Sequence, residues 1–119
     1  FRQIEFTHIM ENVVYNELRK QGYTVDVGSV ESFKRDENGK LQRRNLEIDF
    51  VVNRHDERLY IQSAYALPDK EKIDQEQASL LNVKDGFRKV IIVGDRYYSN
   101  YNEEGIMMMS LFDFLLGTK

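Results

Sequence analysis

The 119-residue chain contains no cysteine. That excludes a disulfide scaffold, a thiolate zinc site and a cysteine nucleophile, and it is the usual condition of a cytosolic protein. Only two histidines occur, His8 and His55. Neither has a cysteine or a second histidine near it to complete a ligand set, so both are expected in solvent. Gly28, Gly39 and Gly105 stand alone, which leaves no glycine-rich loop to cradle a nucleotide phosphate. A Gly-x-Ser-x-Gly nucleophile elbow is missing too. No apolar run approaches the roughly 18 residues that span a bilayer, and no charged-then-apolar leader opens the chain. A cytoplasmic location without membrane contact is expected. Repeats, low-complexity stretches and linkers are absent.

The length suits one domain over residues 1–119, large enough to bury about two thirds of the surface its unfolded chain exposes. A net charge of -3 gives no global footprint for nucleic acid. One local footprint exists around the turn Glu37-Asn38-Gly39-Lys40. There Lys34, Arg35, Lys40, Arg43 and Arg44 outnumber Asp36 and Glu37, an excess of three positive charges. Such a tip can simply be solvated, keeping a sheet edge from aggregating. It can also contact DNA.

Apolar periodicity supplies the elements. Phe6, Ile9, Met10, Val13, Val14 and Leu18 recur at helical spacing, predicting a helix over 3–20 that Gly22 stops. The Val- and Tyr-rich stretch 23–34 reads as a strand with Gly28 as a bulge or bend. Asn38-Gly39 closes a hairpin into a second strand over about 42–53, and a third covers about 58–66. Pro68-Asp69 opens an acidic helix whose apolar stripe is Ile73, Leu80 and Leu81. The apolar run from Lys89 to Asp95 has the signature of a strand buried on both faces. Tyr97 to Tyr101 reads as a loop whose tyrosines pack on the sheet or stack on bases. Gly105 to Met109 is a last strand, with the methionines as core or edge filler. Ser110 caps a closing helix that Gly117 ends.

Period two places side chains on the paired strands. Leu46, Ile48, Phe50 and Val52 would share one apolar face, leaving Glu47, Asp49 and Val51 on the other. Tyr60, Gln62 and Ala64 share a face in the next strand, and the short connection Arg54-His55-Asp56-Glu57 makes the pair antiparallel. Asp49 and Gln62 should then sit side by side. At about 100° per residue, Glu11 falls at the border of the first helix's apolar arc, so its carboxylate should reach the sheet or its margin. A hydrogen bond to a neighbouring polar group would satisfy it there. Two acids at alternate strand positions can equally be the wet face of an ordinary sheet.

The segments His8 to Leu18, Gly22-Tyr23-Thr24-Val25, Glu47-Ile48-Asp49-Phe50-Val51, Tyr60-Ile61-Gln62-Ser63-Ala64-Tyr65 and the strand begun by Lys89 occur in that order. In this the chain resembles the restriction-endonuclease-like PD-(D/E)xK superfamily. It is more closely similar to the domain of unknown function that follows the ATPase module in prokaryotic, archaeal-type AAA ATPases. The resemblance implies an α/β fold with an α-β-β-β-α-β core plus an extra C-terminal strand and helix. It also implies that the chain is the C-terminal part of a larger ATPase, which its opening on Phe1 rather than methionine fits. Its partner would be its own N-terminal ATPase module, with ATP bound there and none here.

In active members of the superfamily a helix-one glutamate, a strand aspartate and a next-strand Glu-x-Lys hold Mg²⁺ and activate water for phosphodiester cleavage. Glu11, Asp49, Gln62 and Ala64 occupy those places. Any metal would fall to Asp49 and Gln62. Mg²⁺ prefers hard, charged oxygens, and the lysine would stabilise charge developing at the attacked phosphate. Gln62 is uncharged and Ala64 offers no donor. Losing one preorganised contact of this kind costs about 10²–10³ in rate. The expectation is a vestigial site in a regulatory or partner-binding module, the partner being a protein or DNA. The alternatives are a sequence-independent DNA-binding domain, and a Mg-dependent nuclease rescued by Lys70, Lys72 or Lys89.

Overall fold

Burial of a narrow stripe, Met10, Val14 and Leu18, fixes the first helix, α1, over Arg2–Lys20. The sequence periodicity suggests a wider arc, but Ile9 is 56% exposed and Phe6 instead stacks on the Tyr65 ring. Gly22, at φ 91°, ends the helix in the left-handed region that glycine enters without a Cβ clash. These elements belong to a computed structural model that describes residues 2–95 and 98–117, with side chains from residue 5 onward. Tyr97 lies outside the described residues.

Three strands follow as an antiparallel meander: β1 (Thr24–Arg35), β2 (Leu41–Arg54) and β3 (Glu57–Ala64). Asp69 caps helix α2 (Lys70–Leu81), accepting the Lys72 N–H at 2.8 Å. The helix carries the chain across to β4 (Arg88–Val93), which runs parallel to β3. Next come the two-residue strand β5 (Asn100–Tyr101), β6 (Met107–Ser110) and α3 (Leu111–Leu116). Ser110 caps α3, and Gly117 closes it at φ 74°. The strands form one mixed sheet in the order β1-β2-β3-β4-β6-β5.

Each sheet face carries its own core. On one, Met10, Val14 and Leu18 of α1 meet Phe50, Val52, Ile61, Val90 and Ile92, with Leu111 and Phe114 of α3 packed alongside. On the other, Leu80 of α2 meets Ile48, Tyr60, Ala64, Ile91, Val93, Ile106 and Met108. The protein is a mixed α/β domain of three layers, and β4 is buried on both faces, as its continuous apolar run indicates. Among the described residues no helix is long and apolar enough to cross a membrane.

Three expectations are corrected. Leu81 is 39% exposed, because one residue past Leu80 on a helix points roughly 100° away, and Gln77 and Ser79 are buried in its stead. The tyrosine-rich loop contains β5, too short to leave a periodic signal, which pairs with the β6 edge through Asn100 and Tyr101. Ile48 and Phe50, two apart on β2, lie in opposite cores. A break in the strand's alternation separates them.

The far half of the β1–β2 hairpin stands clear of both cores. No residue between Ser29 and Glu47 is buried. The Cα radius of gyration is accordingly 14.8 Å, against about 13.5 Å for a compact domain of this length.

Candidate functional site

The break in β2 builds the site. Asp26 pairs with Val51, but Gly28 pairs with Ile48, so Asp49 and Phe50 both stand opposite Val27. Such a β-bulge adds one residue to one strand and reverses the side-chain alternation beyond it. Gly28 permits the close approach: a Cβ there would lie 2.5 Å from Val51 Cγ2.

The backbone pairing of β2 with β3 reaches only to Phe50 and Ile61. Beyond it, side chains replace main chain. The Asp49 N–H donates to Gln62 Oε1 at 2.7 Å, and Gln62 Nε2 donates to the Glu76 carbonyl at 3.3 Å. In the other direction Asp49 Oδ2 accepts the Ser63 N–H at 2.9 Å and the Ser63 hydroxyl at 3.4 Å. Gln62 and Ser63 are buried and need these partners, since an unpaired buried amide costs roughly 1–3 kcal/mol. Asp49 and Gln62 are therefore neighbours as expected. They bridge a gap in the sheet.

Electrostatics mark the same spot. Burial raises the Asp49 carboxyl to about 6, against the lowering effect of the Ser63 N–H, and the negative charges of Glu11 and Glu76 push it further up. Glu11 thus lies close enough to act on Asp49 from α1, at the sheet margin. Glu76 acts from α2 and is a site residue that the sequence reading omits. Its signal was available: Glu76 falls three residues after Ile73 and four before Leu80, on the sheet-facing stripe.

Ala64 lies in the α2-side core, 3% exposed, and offers no polar group to the site. Of the three candidate replacements, Lys70 pairs with Asp74 at 3.4 Å. Lys89 donates to the carbonyls of Asp85 and Phe87 beside the Tyr60 ring. Lys72 alone joins the acids, through Glu76 at 3.0 Å.

These donors do not fit Mg²⁺, which needs several outward-facing charged oxygens in near-octahedral array. Gln62 Oε1 is aimed at a main-chain N–H, and Asp49 Oδ2 already serves Ser63. Among the described residues no three Asp, Glu or His side chains gather as a ligand set. His8 and His55 are exposed.

The second candidate, the hairpin tip, is brought together as the sequence suggests. Asp36 organises it: Oδ1 accepts the N–H groups of Asn38 and Lys40, and Oδ2 accepts the Gln42 amide. The Gln42 bond leads in holding the Asp36 carboxyl below its ordinary value. Register assigns Lys34, Gln42 and Arg44 to one ribbon face and Phe33, Arg35, Leu41 and Arg43 to the other.

No family model matches the chain. No solved structure matches it. The chain is similar to an uncharacterized protein of Haemophilus influenzae, 34% identical over 111 residues that take in 93% of this chain and 24% of that protein. The chain therefore spans about a quarter of the length of that curated relative.

Proposed function

We propose that this chain is a restriction-endonuclease-like domain that keeps the PD-(D/E)xK outline without its chemistry and serves a larger cytoplasmic protein as a partner-binding or regulatory module. The element order α-β-β-β-α-β, followed by further strands and a helix, supports the fold. The match to a quarter of a longer relative supports membership of a larger chain. An AAA-type ATPase module, holding ATP, is the companion that the motif order suggests.

One observation carries the loss of catalysis. Gln62 Oε1 and Asp49 Oδ2, which a nuclease would turn toward a metal, are engaged in closing the gap between β2 and β3. With Ala64 in the core, no lysine arises from β3 to stabilise the phosphate.

The test is a cleavage assay on single- and double-stranded DNA with Mg²⁺ or Mn²⁺, run beside Asp49→Ala, together with thermal melts in each metal. The expected result is no cleavage above the Asp49→Ala background and no metal-dependent rise in melting temperature. Metal-dependent cleavage abolished by Asp49→Ala and by Lys72→Ala would replace this reading with that of a nuclease whose lysine has moved to α2.

A further inference from the structure

We propose that the β1–β2 ribbon is a nucleic-acid-binding arm that engages the phosphate backbone of a DNA duplex without reading sequence. The inference rests on the preceding reading of a partner-binding module, and names the partner.

Charge is segregated along the molecule. Lys34 to Arg44 holds five cations and two acids, a net +3, so the rest of a chain of net -3 carries -6. A body of that sign turns a cationic projection toward a polyanion and holds its own acids back. The two acids of the tip, Asp36 and Glu37, are already counted in its net charge of +3. Asp36 is exposed and bonded to Asn38, Lys40 and Gln42, where it shapes the turn.

Shape agrees with charge. From Ser29 to Arg35 the first strand extends roughly 20 Å at about 3.3 Å per residue, paired throughout with β2 from Leu41 to Glu47. Two-stranded ribbons fit the major groove of B-DNA, about 12 Å wide. One face presents Lys34 and Arg44, which line a hollow of about 500 Å³ with Arg35, Gln42, Asn38 and the two acids of the turn, Asp36 and Glu37. No acid shares that face between Gly28 and the turn. Arg43 on the opposite face is shared with Glu31 at 3.5 Å, and Arg35 donates to the Gly39 carbonyl, so Lys34, Lys40 and Arg44 are the principal phosphate contacts. Backbone contacts of this kind give affinity without sequence information.

The proposal is tested by fluorescence anisotropy of the 119-residue chain with a labelled 20-base-pair duplex, from low to physiological salt. Three phosphate contacts predict that log K falls with log salt at a slope of about -3. The double variant Lys34→Gln/Arg44→Gln should bind at least tenfold more weakly at low salt and flatten the slope by about two, with its melting temperature unchanged. Absence of binding at low salt overturns the proposal, as does a variant that binds like the parent. Tighter binding to poly-glutamate than to DNA also overturns it, and assigns the arm to an acidic protein surface. None of these outcomes bears on cleavage. Loss of the non-catalytic reading would appear only in the Asp49→Ala comparison.

Discussion

Asp49 is a carboxylate doing a backbone's work, and its charge is a liability there. Where a strand neighbour would offer a carbonyl to the Ser63 N–H, Asp49 offers an ionisable oxygen between Glu11 and Glu76. Its folded value of about 6 lies above the unfolded 3.8, so the folded protein holds its proton more tightly. Stability contributed by this group is full below pH ~4, declines as pH rises to about 6 and is flat beyond. Asp49→Asn keeps an oxygen for Ser63 and removes the charge. At pH 7 it should stabilise the protein by about 1–2 kcal/mol, the full shift being discounted for the open flank of the site. Urea unfolding of both proteins at pH 4 and pH 7 checks this. The expected difference is present at pH 7 and small at pH 4; an Asn variant less stable than the parent at pH 7 would refute it.

Among the elements, those whose signals are local were legible in the sequence. The helix start at Pro68-Asp69, the cap Ser110, the stops Gly22 and Gly117, and the continuous apolar run of β4 each act within a few residues, and the structure has all of them. The bulge is different. Gly28 advertises an irregularity in β1, yet the extra residue falls on β2, because a bulge is a property of the pair. Strict alternation through Leu46, Ile48, Phe50 and Val52 therefore assigned Ile48 to the wrong face. For the site, adjacency of Asp49, Gln62 and Glu11 was readable from strand order and helix phase. The direction of Gln62 Oε1 was not, since it depends on where the main-chain ladder stops. The same dependence predicts that Gly28→Ala is costly. Its Cβ would press on Val51 Cγ2 at 2.5 Å, beside the residues that hold the sheet gap closed. Overpacking of this kind costs about 1–3 kcal/mol. The melting temperature should fall, and amide exchange at Asp49 and Ser63 should quicken more than at Val90 or Ile92. A uniform change across these amides would show that the bulge is not the weak point.

At the scale of the whole molecule, the domain and its ribbon are separable in energy. Both cores are built from residues outside the stretch 31–45, and the last core-contacting pair before the tip is Val30 with Leu46 of β2 or, more deeply, Gly28 with Ile48. Cross-strand pairs near the tip contribute only roughly 0.2–1 kcal/mol each, and they are offset by the entropy of ordering an exposed hairpin. Replacing residues 31–45 by an Asn-Gly turn joins Val30 to Leu46 at a position where they already face each other, and a two-residue turn of that type matches strand twist. The shortened chain should still unfold cooperatively, with its urea midpoint within about a tenth of the parent's, because the apolar surface buried in both cores is intact. Small-angle scattering should show the radius of gyration falling from the parent's value toward that of a compact domain. Duplex binding should disappear at low salt. Loss of cooperative unfolding would show that the arm belongs to the fold after all; retained binding with a stable fold would move the nucleic-acid surface onto the acidic body, where nothing in the charge distribution favours it.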